Sequence, residues 1–144
     1  MKVYEYGTEN KRTLLMFQSS AEPYWVFVAA AQAMAKDFHV FLAAAEGHNP
    51  EEDSTFISVE KYADDAAAYL KAHGVTELDA LYGISMGGAT AMRFLASQAL
   101  PVKKAILFCG LPMTCHSTGK VFSIVPSDIT HRAAFSLQHP HKSL

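Results

Sequence analysis

At 144 residues, half of them hydrophobic and 18% charged, the chain has the length of one domain and the composition of a globular fold with a real core. A net charge of −2 and a pI near 6.4 leave no electrostatic footprint for DNA, RNA or an anionic membrane. No apolar run approaches the roughly 18 residues that span a bilayer, and the start Met1-Lys2-Val3-Tyr4-Glu5-Tyr6 has no signal-peptide character, so a cytoplasmic location is expected.

The elements follow in order. Residues 3–6 alternate in polarity and lead into the polar turn 7–12. Residues 13–17, Thr-Leu-Leu-Met-Phe, form the continuous apolar run of a strand buried on both faces. A loop over 18–23 precedes 24–36, rich in Ala and Met, which reads as a helix. Residues 38–43 make a second apolar strand, and Gly47, Asn49 and Pro50 open a polar loop with Glu51, Glu52 and Asp53. Ser58 is a good N-cap for a helix that puts Tyr62, Ala66, Tyr69 and Leu70 near one face and stops at His73-Gly74. Residues 78–84 form a third strand, 86–99 a helix broken by Pro101, and 103–109 a further strand. This alternation predicts βαβ units: an α/β fold, a mostly parallel sheet with helices on both faces.

Beyond Gly110-Leu111-Pro112 the character changes. Residues 113–144 hold four of the seven histidines and five serines, without sustained periodicity. Residues 121–125 fit a strand and 129–137 a short helix; the end is expected to be unstructured. The chain therefore divides into a portion 1–112 and an atypical portion 113–144. That second portion reads either as a flexible tail or as an out-of-frame or truncated continuation, and the latter is preferred. Cys109 and Cys115 show no metal pattern and are read as a buried strand end and an incidental thiol.

The chemistry-bearing motif is Gly83-Ile84-Ser85-Met86-Gly87. Gly-x-Ser-x-Gly makes mechanical sense where a strand turns sharply into a helix, so that the serine projects above the sheet. By composition it arises in roughly one chain in twenty of this length; its place between a strand and a helix is what gives it weight. The alternative is a tight turn in which Ser85 merely caps the helix. In the functional reading Ser85 is the nucleophile and the backbone N–H of Met86, at the positive end of the helix dipole, is the first oxyanion donor. A second donor is expected from the loop after residues 13–17. No Gly-x-Gly-x-x-Gly or Walker loop follows that strand, which argues against a nucleotide-binding protein.

On these residues the chain resembles the alpha/beta hydrolase superfamily over about residues 2–111. Gly83 to Gly88 matches the nucleophile elbow in its Gly-x-Ser-Met-Gly-Gly form. Lys36-Asp37-Phe38-His39-Val40 followed by Glu46-Gly47-His48 is similar to the family's strand and Arg-Gly-His turn. Where the family usually has His-Gly, this chain has Gln18-Ser19, so the resemblance implies Gln18 or Ser19 as the second oxyanion donor. Ala43-Ala44 stands where Pro-Asp is common.

In the family the catalytic acid and histidine follow the serine, in a fold on the order of 200–250 residues. The resemblance therefore implies that the C-terminal half is missing. Within the tail, His116 is the better base; Asp128 and His131 have only two residues between them, and His139 and His141 read as solvated, while His48 in the earlier loop reads as structural. The implied function is hydrolysis of a carboxylic ester or related acyl bond through a Ser85 acyl-enzyme, or acyl transfer by the same serine. The alternative is an inactive truncated hydrolase that serves as a binding module or has no function. A small-molecule ester or acyl substrate is expected, with no cofactor, metal, nucleic acid or membrane partner. An incomplete sheet predicts an exposed edge open to self-association.

Overall fold

Strands buried on both faces need neighbours on both sides, and the apolar runs find them in one sheet. The computed structural model describes residues 1–20 and 22–108 and the backbone of 122–124. Its strands are β1 (Lys2–Tyr6), β2 (Thr13–Phe17), β3 (His39–Ala44), β4 (Ala80–Ile84), β5 (Ala105–Phe108) and β6 (Phe122–Ile124), in the order β1-β3-β2-β4-β5-β6. The central pairings β3–β2, β2–β4 and β4–β5 are parallel; the flanking strands β1 and β6 pair antiparallel. β6 falls within the strand expected at 121–125. The readings placed on Cys109, Cys115, His116, Asp128, His131, His139 and His141, and on the helix at 129–137, lie outside the described residues.

Handedness decides where the helices go. From β2 the chain steps one way to β3 through a 3₁₀ turn (Tyr24–Phe27) and α1 (Val28–Met34); from β3 it steps back past β2 to β4 through α2 (Val59–Ala72). Right-handed crossovers in opposite directions put their helices on opposite faces. The third connection, α3 (Met86–Ser97), runs in the same direction as α2 and lies against it.

Side chains sort by strand parity. Leu14, Met16, Val40, Leu42 and Ala80 face Phe27 and Ala31 on the α1 side. Leu15, Phe17, Phe41, Ala43 and Leu81 face Tyr62, Ala66, Leu70, Ala91 and Phe94 on the α2–α3 side. Phe17 is fully buried, edge-on to Tyr62 at 5.0 Å and to Phe94 at 6.2 Å. Burying a side chain of this size is worth roughly 1.5–3 kcal/mol. On β5, Ala105 and Leu107 are buried while Ile106 and Phe108 are exposed. No helix among the described residues is long and apolar enough to cross a membrane.

Several boundaries differ from the sequence expectation by one to four residues, two of them for a visible reason. The helix expected over 24–36 starts as a 3₁₀ turn and becomes α-helical only at Val28. Tyr24-Trp25-Val26-Phe27 is an aromatic and β-branched run of poor helix propensity, and Pro23 ahead of it is extended and offers no side-chain cap. The strand expected at 78–84 begins regular pairing at Ala80, because Asp79 turns its carboxylate on the Thr13 N–H at 2.9 Å while Leu78 bridges to Val102.

Carboxylates fasten the sheet's periphery. Glu5 on β1 accepts from Tyr69 Oη at 2.7 Å and meets His39 Nε2 at 2.7 Å, tying the edge strand to α2 and β3. Burial pushes the Glu5 carboxyl up, but the Tyr69 and His39 hydrogen bonds outweigh it and leave it below its ordinary value. Asp79 is also lowered, by its Lys103 hydrogen bond and then by the Thr13 N–H. Depressed carboxylates stabilise the fold above their unfolded pKa and lose that contribution as pH falls through the folded one. Stability is therefore expected to decline as pH falls below about 4.5. Glu5→Gln should cost about 1 kcal/mol at pH 7 and flatten that acid limb, read by urea midpoints across the pH range.

Candidate active site

In an open, mostly parallel sheet the ligand crevice lies beyond the strands' carboxyl ends, where successive crossovers part to opposite faces. Here that point is between β2 and β4: the loop after β2 goes to the α1 side and the turn after β4 goes to the α3 side. Gln18 and Ser19 follow the first strand and Ser85 follows the second, so topology alone brings these three positions to one place.

Ser85 sits between the end of β4 and the first residue of α3, at φ 54° and ψ −120°. That backbone region is nearly closed to residues with a Cβ and holds roughly 1–3 kcal/mol of strain. Two hydrogen bonds pin it: the Ser85 N–H donates to the Phe108 carbonyl at 2.9 Å, and the Ser85 carbonyl accepts from the Ala89 N–H at 3.1 Å. The flanking glycines have separate reasons. A Cβ on Gly83 would lie 2.1 Å from the Gly87 carbonyl oxygen; one on Gly87 would lie 2.5 Å from the carbonyl oxygens of both Phe17 and Gln18. The first lets the turn fold back on itself. The second lets α3 press against the end of β2.

At the start of α3 the leading backbone N–H groups, Met86 among them, have no carbonyl one turn earlier to bond. They carry the helix's partial positive charge at the residue after Ser85. Thr90 stiffens this turn by donating its hydroxyl to the Met86 carbonyl at 2.9 Å.

The loop after β2 is held by buried amides. Gln18 is fully buried: its Oε1 accepts from the Ala45 N–H at 3.0 Å and its Nε2 donates to the Glu22 carbonyl at 3.2 Å. The Gln18 side chain thus stitches the ends of β2 and β3 together. The neighbouring Tyr62 phenol, buried and donating to the Ala43 carbonyl at 2.6 Å, is held well above its ordinary pKa by that burial. Ser19 is also buried, with its hydroxyl donating to Glu22 Oε2 at 3.1 Å. Asn49, which the sequence reading passed over, plays the same part beside it, donating to the Ala45 carbonyl at 3.1 Å and accepting from the Tyr24 N–H at 3.2 Å.

His48 turns Nδ1 to the Glu46 carbonyl at 2.9 Å and packs edge-on against Phe56, a structural setting. A shallow hollow near the start of α2 is walled by Glu46, Phe56, Ser58, Lys61 and Tyr62, and Ser85 is not part of it. Among the described residues, no three His, Cys, Asp or Glu side chains group as a metal site.

A parallel sheet wrapped on both faces, with a strained serine between strand and helix, is the architecture of the α/β hydrolases. A model of the serine aminopeptidase S33 family matches residues 8–139, and the chain belongs to that family of alpha/beta hydrolases. No curated protein matches its sequence. Among solved structures it is similar to a protein from Desulfitobacterium hafniense assigned to the alpha/beta hydrolase family (20% identity, TM-score 0.65, covering 74% of this chain and 43% of that one). It is also similar to a lipase-esterase related protein from Clostridium acetobutylicum (22%, TM-score 0.61, covering 72% and 44%). A thermophilic esterase from Thermogutta terrifontis is a third (22%, TM-score 0.63, covering 74% and 39%). At these identities the likeness speaks for the fold, and the chain spans about two fifths of these relatives' length.

Proposed function

We propose that the chain carries the nucleophile side of a serine hydrolase acting on small carboxylic esters or related acyl compounds. The observation that carries this reading is the positive φ of Ser85, a strained non-glycine conformation pinned between β4 and α3. Strain of this kind persists where the surrounding structure over-determines it, and it clusters at reactive positions. Ser85 Oγ bonds to the acyl carbon, its proton passes to a base, and the carbonyl oxygen becomes an oxyanion received by the Met86 N–H and a donor from Ser19 or Gln18. With Gln18 engaged elsewhere, Ser19 is the preferred second donor. Collapse breaks the bond to the alcohol and leaves an acyl-enzyme that water cleaves. His116 is the proposed base: in sequence it follows β5, whose last residue Phe108 holds the Ser85 N–H by its carbonyl. The esterases among the solved relatives favour acyl chemistry of this class.

A neutral fluorophosphonate probe tests the reading. Labelling of the folded chain that maps to Ser85 and vanishes in Ser85→Ala supports it; a folded chain that stays unlabelled overturns it and favours a binding module. Ser85→Gly adds a second readout, because glycine adopts this φ freely. It should abolish labelling while raising stability by roughly 1–3 kcal/mol, measured by urea denaturation.

A further inference from the structure

Two loops leave the carboxyl ends of β2 and β3, residues 18–23 and 45–57, and their hydrogen bonds close into a ring. The Ala45 N–H donates to Gln18 Oε1 at 3.0 Å, and the Ala45 carbonyl accepts from Asn49 Nδ2 at 3.1 Å. Asn49 Oδ1 accepts from the Tyr24 N–H at 3.2 Å, and two residues before Tyr24 the Glu22 carbonyl accepts from Gln18 Nε2 at 3.2 Å. Gln18, Ala45 and Asn49 are buried, so bulk water does not stand in for a lost member of the ring. Pro23, between Glu22 and Tyr24, has its φ fixed by its ring and carries no N–H. It precedes the 3₁₀ turn without offering a side-chain cap, and Asn49 supplies that missing bond to Tyr24 from the neighbouring loop. Asn49 is itself held by a turn, its carbonyl accepting from the Glu52 N–H at 3.0 Å.

The two amides thus hold opposite ends of one loop. Gln18 holds it where it leaves β2, beside the turn at Ser85, since a Cβ on Gly87 would lie 2.5 Å from the Gln18 carbonyl oxygen. Asn49 holds it where it enters the 3₁₀ turn. A loop tied at one end pivots about that tie; tied at both, it keeps one shape. An oxyanion donor is effective where its N–H is aimed in advance at the developing charge. We infer that Asn49 is a positioning residue for the Ser85 reaction, fixing the far end of the loop that bears the second oxyanion donor. The inference rests on Ser85 being the nucleophile.

The test separates the two constants of labelling by a neutral fluorophosphonate, KI for probe binding and kinact for the chemical step. In that step the Oγ–P bond forms, the P–F bond breaks, fluoride leaves and the serine proton passes to the base. Asn49→Leu removes both the donor to Ala45 and the acceptor for Tyr24. Asn49→Ser, too short to reach both, breaks the bridge without placing an apolar group there, and it decides the matter if the leucine variant does not fold. In folded protein well below its melting temperature, kinact should fall about tenfold or more while KI stays within about twofold, the mark of an interaction made in the transition state. Leu70→Ala is the control for stability alone: it takes packing from the buried face of α2, lowers the melting temperature and should leave kinact at the parent value. Parent kinact in a folded Asn49 variant, a matching fall in Leu70→Ala, or a loss confined to KI would overturn the assignment while Ser85 labelling stands. A parent chain that is not labelled, or labelling that persists in Ser85→Ala, would overturn the nucleophile itself and this inference with it.

Discussion

Gly87→Ala is expected to destabilise the fold by about 3 kcal/mol, the upper end of what overpacking usually costs, because atoms are forced into a close-packed site that cannot yield. The added Cβ would lie 2.5 Å from the carbonyl oxygens of Phe17 and Gln18 and 2.9 Å from the Phe17 carbonyl carbon. All three are backbone atoms at the end of the central strand, which is paired on both sides, so no side chain can swing aside. Gly83→Ala should behave alike, because its Cβ would lie 2.1 Å from the Gly87 carbonyl oxygen. Gly74 is the control: its φ is +76° but a Cβ there meets nothing within 4 Å, so Gly74→Ala should cost only the left-handed penalty, about 1–2 kcal/mol. Thermal melts of the three variants separate the two effects. A Gly87→Ala melt close to that of Gly74→Ala would mean that α3 does not press on β2 as described.

The periodic part of the fold was legible because its code is local. Residues 13–17 and 38–43 announce buried strands by unbroken apolar character, and Ser58 announces a helix by its cap, which accepts from the Lys61 N–H at 3.1 Å. The tight turn at Ser85 was legible for a related reason. Gly-x-Ser-x-Gly records a steric requirement within five residues, and the contacts of Gly83 and Gly87 show what it is. The roles of Gln18 and Asn49 were not legible in the same way. Whether an amide after a strand meets a substrate or a backbone N–H depends on what lies across the sheet, and its partner Ala45 is 27 positions away. Propensity also misled at Tyr24–Phe27, where an Ala-rich continuation hid an aromatic first turn.

Gln18→Leu is expected to do more to Ser85 than to the core. Leucine matches the glutamine in bulk but offers neither an acceptor for the Ala45 N–H nor a donor for the Glu22 carbonyl. Ala45 is fully buried, so its N–H finds no water in place of Oε1. One orphaned buried donor costs about 1–3 kcal/mol, which the urea midpoint reads. The larger consequence is positional. The Gln18 side chain holds together the ends of β2 and β3 and the loop that carries Ser19 and Glu22, and releasing it lets the proposed second oxyanion donor drift from the elbow. Misplacement by about 1 Å is enough to lower a rate on the order of 100-fold. Fluorophosphonate labelling of Ser85 in Gln18→Leu, measured well below its melting temperature, should therefore fall by one to two orders of magnitude while the chain remains folded by circular dichroism. Labelling at the parent rate would show that this loop contributes no donor, and would leave the Met86 N–H as the sole anion contact proposed here.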